Sequence, residues 1–431
     1  MKRNAVEHLI QWKKSVDRKP LILKGARQVG KTWLMKFLGE TEYENYYYFN
    51  FDENPNLASI FDKNKNSKRI IELLGLLSNN IIRPETDLII FDEIQESSSA
   101  LNSLKYFYEQ SPDYHIICAG SLLGTLLATP QSYPVGKVNI LNIYPLTFDE
   151  FLLNVDPGLY AYFSQIVQGD EITEIFHEKL LEAYDYYLII GGMPEVVYSW
   201  IKNRDISLLD KTQREIIEIY KNDFAKHNGK VNSGRILLVF DSLVSQLAKE
   251  NKKFIYGLLK QGARAREFEE AIEWLILSGL VHKVYMSRNP LYPLKAYDDP
   301  NAFKLYLFDT GLLKQLARID NESIILKTDF AFKGALAENF VLQQIIDKFN
   351  VEPRYYNDAR VMETDFLIQH SGGVCPIEVK SESNVKSKSL TKYNEKFKPK
   401  LSIRFSKLGL KKDGDILNIP LYLAPRVKDF I

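Results

Sequence analysis

Gly25-Ala26-Arg27-Gln28-Val29-Gly30-Lys31-Thr32 carries the most specific chemistry in this chain. The spacing is G-x-x-x-x-G-K-[ST], the phosphate-binding loop. Gly25 and Gly30 let the backbone turn the N–H groups of the intervening Ala26, Arg27, Gln28 and Val29 around phosphate oxygens. Lys31 brings a point charge to the β- and γ-phosphates, and Thr32 offers a hydroxyl to Mg²⁺. The apolar run Leu88-Ile89-Ile90-Phe91, which ends in Asp92-Glu93, reads as a buried parallel strand with chemistry at its carboxyl end. Asp92 is expected to hold Mg²⁺, directly or through water, and Glu93 to polarise an attacking water. Ser121 follows the next apolar run, where it would either sense the γ-phosphate or simply begin a turn. The chemistry implied is binding and hydrolysis of a nucleotide with Mg²⁺.

A second group lies near the other end. Glu378 and Lys380 share one face of an expected strand, and the turn at Ser371-Gly372-Gly373 makes a hairpin that brings Asp365 beside them. Two acids there are costly to bury unless a cation sits between them. Asp365 and Glu378, with Glu338 from a preceding helix, are therefore candidate ligands of a second Mg²⁺ or Mn²⁺. Lys380 would orient or deprotonate a metal-bound water for attack on a phosphodiester. The alternative is an exposed hairpin with an alternating charged face. Beyond it, Lys386, Lys388, Lys392, Lys396, Lys398 and Lys400 form either a basic stripe for nucleic acid or a solvated surface.

The elements that must position these groups follow from length and pattern. A chain of 431 residues holds two to four domains, and its net charge of +1 gives no global attraction to nucleic acid or membrane. Its two cysteines, Cys118 and Cys375, lie in apolar runs and read as buried thiols of a reducing compartment. No secretory leader or membrane span is expected, so the cytoplasm is the default. Strands at 46–51, 87–93, 115–121 and 138–143 alternate with helices, which implies a parallel sheet covered on both faces. Residues 1–165 read as this α/β core and 166–230 as a helical lid broken at Gly191-Gly192-Met193-Pro194. Residues 231–302 have the helix-turn-helix and hairpin order of a winged helix, and 303–431 form a last α/β domain. Arg264 and Arg266 could touch phosphates, complete a neighbouring ATP site in a homo-oligomer, or simply be solvated.

Together, Gly25–Thr32, Phe91-Asp92-Glu93, Ala119-Gly120-Ser121 and Tyr144-Pro145-Leu146-Thr147-Phe148 resemble the bacterial and archaeal AAA+-type ATPases with an AAA_14-like P-loop domain. Gly192-Met193-Pro194-Glu195, Asp309-Thr310-Gly311-Leu312-Leu313 and Ile377-Glu378-Val379-Lys380 resemble the domain DUF4143 that accompanies them. The last part is similar to the PD-(D/E)xK restriction-endonuclease-like fold, with Glu363-Thr364 where that pattern has its proline. The resemblance implies that Gly192 and Pro194 lie close to the nucleotide base, and that Asp365, Glu378 and Lys380 are the nuclease core. Three functions remain open at this point: an ATPase that handles DNA, an ATP-dependent switch whose nuclease-like domain is silent, or a plain NTPase.

Overall fold

A computed structural model describes residues 1–120, 123, 136–349, 351–358, 362–382 and 388–431. Ser121 and Lys386 lie outside the described residues. The chain divides into two compact units. One comprises Lys2–Tyr144 with the short segment Leu277–Leu280; the other comprises Met1, Pro145–Ile276 and Val281–Ile431.

Among the described residues the first unit is built on five strands: β1 (Leu21–Lys24), β2 (Asn45–Asn50), β3 (Asp87–Asp92), β4 (His115–Ala119) and β5 (Asn139–Asn142). They lie in the order β2-β3-β4-β1-β5, and every pair is parallel. β3 and β4 are buried along their whole length, which is why they read as unbroken apolar runs. Phe51, Phe61 and Phe107 pack around Phe91 at centroid distances of 5.8, 5.6 and 6.1 Å. This aromatic cluster anchors the strand that carries Asp92 at its end.

Among the described residues the second unit holds eight strands: β6 (Val281–Ser287), β7 (Asp298–Leu307), β8 (Arg354–Asp358), β9 (Met362–His370), β10 (Gly373–Val379), β11 (Ser402–Ser406), β12 (Lys411–Asp413) and β13 (Ile416–Pro420). Their order is β12-β13-β11-β10-β9-β8-β6-β7, in a mixed sheet. The hairpin expected as a wing is β6–β7, and β6 also pairs in parallel with β8 at Met286 and Tyr355. The hairpin is thus the edge of the C-terminal sheet, and the boundary expected at residue 302 falls inside β7. The boundary expected at 230 falls inside one continuous helix, Ile206–Leu247. A lone glycine such as Gly234 costs a helix only about 1 kcal/mol, so the polar stretch around it does not end the helix. Helices Phe148–Val155 and Pro157–Gln165, expected with the P-loop core, belong to the second unit.

The motifs that bracket this second unit meet in one buried polar network. Asp309 is fully buried; its Oδ1 accepts from the Leu312 N–H (2.9 Å) and its Oδ2 from the Gly192 N–H (2.6 Å). The Gly192 carbonyl accepts from the Leu146 N–H at 2.7 Å. Tyr187 donates its hydroxyl to the Leu146 carbonyl, and Gln343 donates to Tyr187 (2.9 Å) while accepting from the Thr310 N–H (2.9 Å). A Cβ on Gly192 would stand 2.1 Å from the Leu146 carbonyl oxygen, so only glycine fits. Both backbone polar groups of Gly192 are engaged inside its own unit, and Pro194 opens helix Pro194–Asn203.

Candidate nucleotide site and a second acidic cluster

The phosphate loop leaves β1 and enters helix Lys31–Glu42 through Gly30, whose φ of 95° is left-handed. Gly25 is required by close approach, since a Cβ there would lie 2.1 Å from the Ile143 carbonyl oxygen. Thr32 Oγ1 donates to Asp92 Oδ2 at 2.7 Å, although the two residues are 60 positions apart. Tyr48, on neighbouring β2, donates to the same oxygen at 2.9 Å. Burial pushes the Asp92 carboxyl up, and the hydrogen bonds from Thr32 and Tyr48 work against that rise. Hydroxyl and carboxylate oxygens meeting at one point are the hard donors Mg²⁺ takes, so these residues fit the ion.

Lys31 is buried and folded back on its own loop, with Nζ donating to the carbonyls of Gly25 (2.9 Å) and Ala26 (2.7 Å). Burial lowers its pKa to about 8, against the pull of Glu93 and Asp92. A phosphate would favour the charged form, so binding above that pH takes up a proton. Nucleotide affinity is therefore expected to be flat below pH 8 and to weaken by up to about tenfold per pH unit above it. Calorimetric titration of a non-hydrolysable ATP analogue from pH 7 to 9.5 checks this; a flat profile contradicts it.

Glu93 sits in the left-handed region at φ 49°, a strained backbone for a glutamate. Its carboxylate accepts from Gln95 Nε2, and Gln95 in turn packs on Gly120, where a Cβ would lie 1.8 Å from its Oε1. Gln95 thus ties the acid to the end of β4. Tyr48 and Gln95 were not read as site residues from the sequence, nor was Arg3. The Arg3 guanidinium donates to the carbonyls of Val29 (3.0 Å) in the loop and Tyr144 (2.7 Å). Gly279, with φ 78°, also backs onto the loop, where a Cβ would lie 3.0 Å from the Ala26 nitrogen. Arg264 and Arg266 flank the start of helix Ala265–Leu277 and are exposed.

In the second unit the β9–β10 hairpin forms as expected, with Ile377 opposite Phe366, and it brings Asp365 to β10. Asp365 Oδ2 accepts from the Val379 N–H at 2.7 Å. Glu378 and Lys380 pair at 3.0 Å. Glu338, buried on helix Lys333–Ile345, does approach Asp365, but it carries its own cation: Lys252 Nζ lies 2.6 Å from Oε1, and the Tyr306 hydroxyl donates to Oε2 at 3.0 Å. Lys304, wholly buried, pairs with Glu363 at 2.9 Å. Burial opposes charge on Glu338, yet Lys252, Lys304 and its hydrogen bonds hold it below the ordinary carboxylate range. Burial and then the charge of Glu338 push Asp365 above that range, against the pull of Lys304 and Lys252. Among the described residues, no three of His, Cys, Asp and Glu are arranged to hold a metal ion. The reading of Glu338, Asp365 and Glu378 as one metal set is corrected on this ground. Each of Glu338 and Glu378 faces an ammonium, and Asp365 is satisfied by a backbone N–H.

Residues 17–152 match the family described as AAA domain, residues 181–323 the domain of unknown function DUF8612, and residues 333–422 the domain of unknown function DUF4143. Gly192–Glu195 and Asp309–Leu313, grouped above with DUF4143, fall in DUF8612. No curated protein matches the chain. Among solved structures, the Walker-type ATPase PABY2304 of Pyrococcus abyssi is similar at 16% identity and TM-score 0.47, covering 74% of this chain and 96% of that one. Cdc6p from Pyrobaculum aerophilum is similar at 13% identity and TM-score 0.28, covering 76% of this chain and 96% of its own. The Aeropyrum pernix ORC1 protein, solved in complex with DNA, is similar at 13% identity and TM-score 0.27, covering 74% and 91%. No helix among the described residues is long and apolar enough to cross a membrane. The chain carries an AAA-type P-loop domain at residues 17–152, followed by a DUF8612 domain at 181–323 and a DUF4143 domain at 333–422.

Proposed function

We propose that this chain hydrolyses ATP with Mg²⁺ and couples nucleotide state to the handling of nucleic acid by its C-terminal domain. The observation that carries the first half is the 2.7 Å contact of Thr32 with Asp92 beside Lys31, which gathers the phosphate and metal groups at the end of one sheet. In this reading Lys31 leaves its loop carbonyls to neutralise the β- and γ-phosphates, and Thr32 and Asp92 hold Mg²⁺. Held by Thr32 and Asp92, the ion would supply positive charge to the phosphates. Glu93, released from Gln95, orients the attacking water. Ser121 is proposed near the γ-phosphate, and Arg264 or Arg266 as a group supplied to a neighbouring copy.

Support for nucleic acid comes from helix Lys388–Phe397, which buries Leu390 and Tyr393 and exposes Lys388, Lys392 and Lys396 one turn apart. A line of ammoniums at that spacing matches a phosphate backbone. The test is the ATPase rate with and without single- and double-stranded DNA, in the wild type and in Lys388→Glu/Lys392→Glu. DNA is expected to stimulate the wild type. The double variant should bind DNA at least about tenfold more weakly, with a salt slope reduced by about two. Binding unaffected by the reversal removes this helix from the proposal. A second reading, in which the C-terminal domain holds without cutting, is favoured by the ammonium groups already on Glu338 and Glu378.

A further inference from the structure

The acidic cluster of the second unit raises a question of charge. Glu338, Glu363 and Glu378 are each paired, with Lys252, Lys304 and Lys380 respectively, at 2.6, 2.9 and 3.0 Å. Glu338 and its lysine are nearly solvent-free, at 5% and 15% side-chain exposure. A buried carboxylate with neither a cation nor hydrogen-bond donors is costly, and a buried pair persists only where its remaining valences are met. They are met here for Glu338: Oε1 takes Lys252 and Oε2 takes Tyr306. Asp365, which feels the charge of Glu338, spends Oδ2 on the backbone of β10. The one acid oxygen of this group that is buried without a partner is Glu378 Oε2.

We propose that the Lys252 ammonium is a built-in cation that takes the place of a divalent metal between Glu338 and the β9–β10 hairpin. This rests on the reading of the C-terminal domain as one that holds without cutting, and explains how that domain keeps its acids buried. Lys252 does not come from the nuclease-like segment. It lies 86 residues from Glu338, in the polar connection that follows helix Ile206–Leu247. Its pairing therefore fastens that connection to the DUF4143 region by charge, where a metal would have left it loose.

The inference predicts a latent site. Lys252→Ala removes the ammonium and leaves the buried Glu338 carboxylate beside Asp365 with no cation to balance it. Mn²⁺ is the probe, used without nucleotide and in a Thr32→Ala background so that the phosphate loop contributes nothing. The Thr32→Ala protein is expected to take up no Mn²⁺ in this region. Adding Lys252→Ala should create uptake of about one equivalent with a rise in melting temperature, and Glu338→Gln on top should abolish both. If Lys252→Ala does not fold alone, refolding with Mn²⁺ decides: recovery supports the proposal, and no recovery overturns it. It is equally overturned if Lys252→Ala folds without Mn²⁺ uptake, or if the protein with Lys252 intact already binds one Mn²⁺ that Glu338→Gln removes. DNA cleavage by the wild type with Mg²⁺ would instead sink the non-cutting reading on which the proposal stands. Uptake of Mn²⁺ by a non-cleaving wild type would sink the proposal alone.

Discussion

Lys31→Ala is expected to reduce ATP hydrolysis by at least about two to three orders of magnitude while leaving the fold intact. The loss follows from what the ammonium alone supplies. Removing one preorganised donor to developing charge typically costs about 10²–10³ in rate, and Lys31 is a full charge in a desolvated loop. The intact fold follows from what Lys31 touches. Its Nζ bonds only the carbonyls of Gly25 and Ala26, which lie at the cradle itself and regain water when the side chain is gone. Its backbone begins helix Lys31–Glu42, where alanine is at least as good a helix former as lysine. Phosphate release and far-UV circular dichroism, measured on one preparation, separate the two outcomes. Turnover unchanged in Lys31→Ala would remove the phosphate loop from the mechanism altogether. Turnover lost together with the dichroism signal would show instead that Lys31 holds the loop.

The nucleotide half of the chain was legible because its chemistry and its structure share one local pattern. A buried parallel strand is a continuous apolar run, and Leu88–Phe91 announces both the strand and the acids at its end. Tyr48 was not legible. Tyr46, Tyr47 and Tyr48 are adjacent, and only the register that sets Tyr48 against Ile90 shows which hydroxyl reaches Asp92. The second acidic group shows the same limit more sharply. The hairpin register follows from the glycine turn, so Asp365, Glu378 and Lys380 could be placed together. The cation that balances Glu338 comes from Glu250-Asn251-Lys252-Lys253, a run whose composition says only that it is polar. A metal was expected because the charge had to be met, and a distant lysine meets it. The long helix Ile206–Leu247 read as two helices for a related reason. The polar stretch through Ser233-Gly234 resembles a loop, and tertiary packing of Phe224 against Phe240 and Trp274 overrides it. Strand β11 was not legible because Ile403 and Phe405 alternate with polar neighbours over only five residues.

Asp309 carries the largest predicted effect on stability. Its two oxygens cap helix Thr310–Leu316 through Leu312 and satisfy the Gly192 N–H, both in a fully buried setting. In Asp309→Asn the amide oxygen can keep one of these bonds, but its NH₂ then faces a donor. A cap lost or a buried N–H orphaned each cost about 1–3 kcal/mol, so a total of roughly 2 kcal/mol or more is expected at neutral pH. The pH dependence has a definite sign. Burial raises the Asp309 carboxyl from 3.8 to about 6, against the N–H groups of Gly192 and Leu312 that favour its charged form. Between those values the folded state binds the proton more readily than the unfolded chain. The contribution of this titration to stability is therefore full below about pH 4 and is lost as pH rises through about 6. The shift corresponds to about 3 kcal/mol. The asparagine variant has no such titration, so wild type minus variant isolates it. Denaturant unfolding of both proteins at pH 4.5 and at pH 7.5 is the measurement. The difference between them should be larger at the lower pH by about 2 kcal/mol. A difference that grows towards high pH would mean that Asp309 is held ionised, and that the Gly192 turn depends on its charge rather than on its shape.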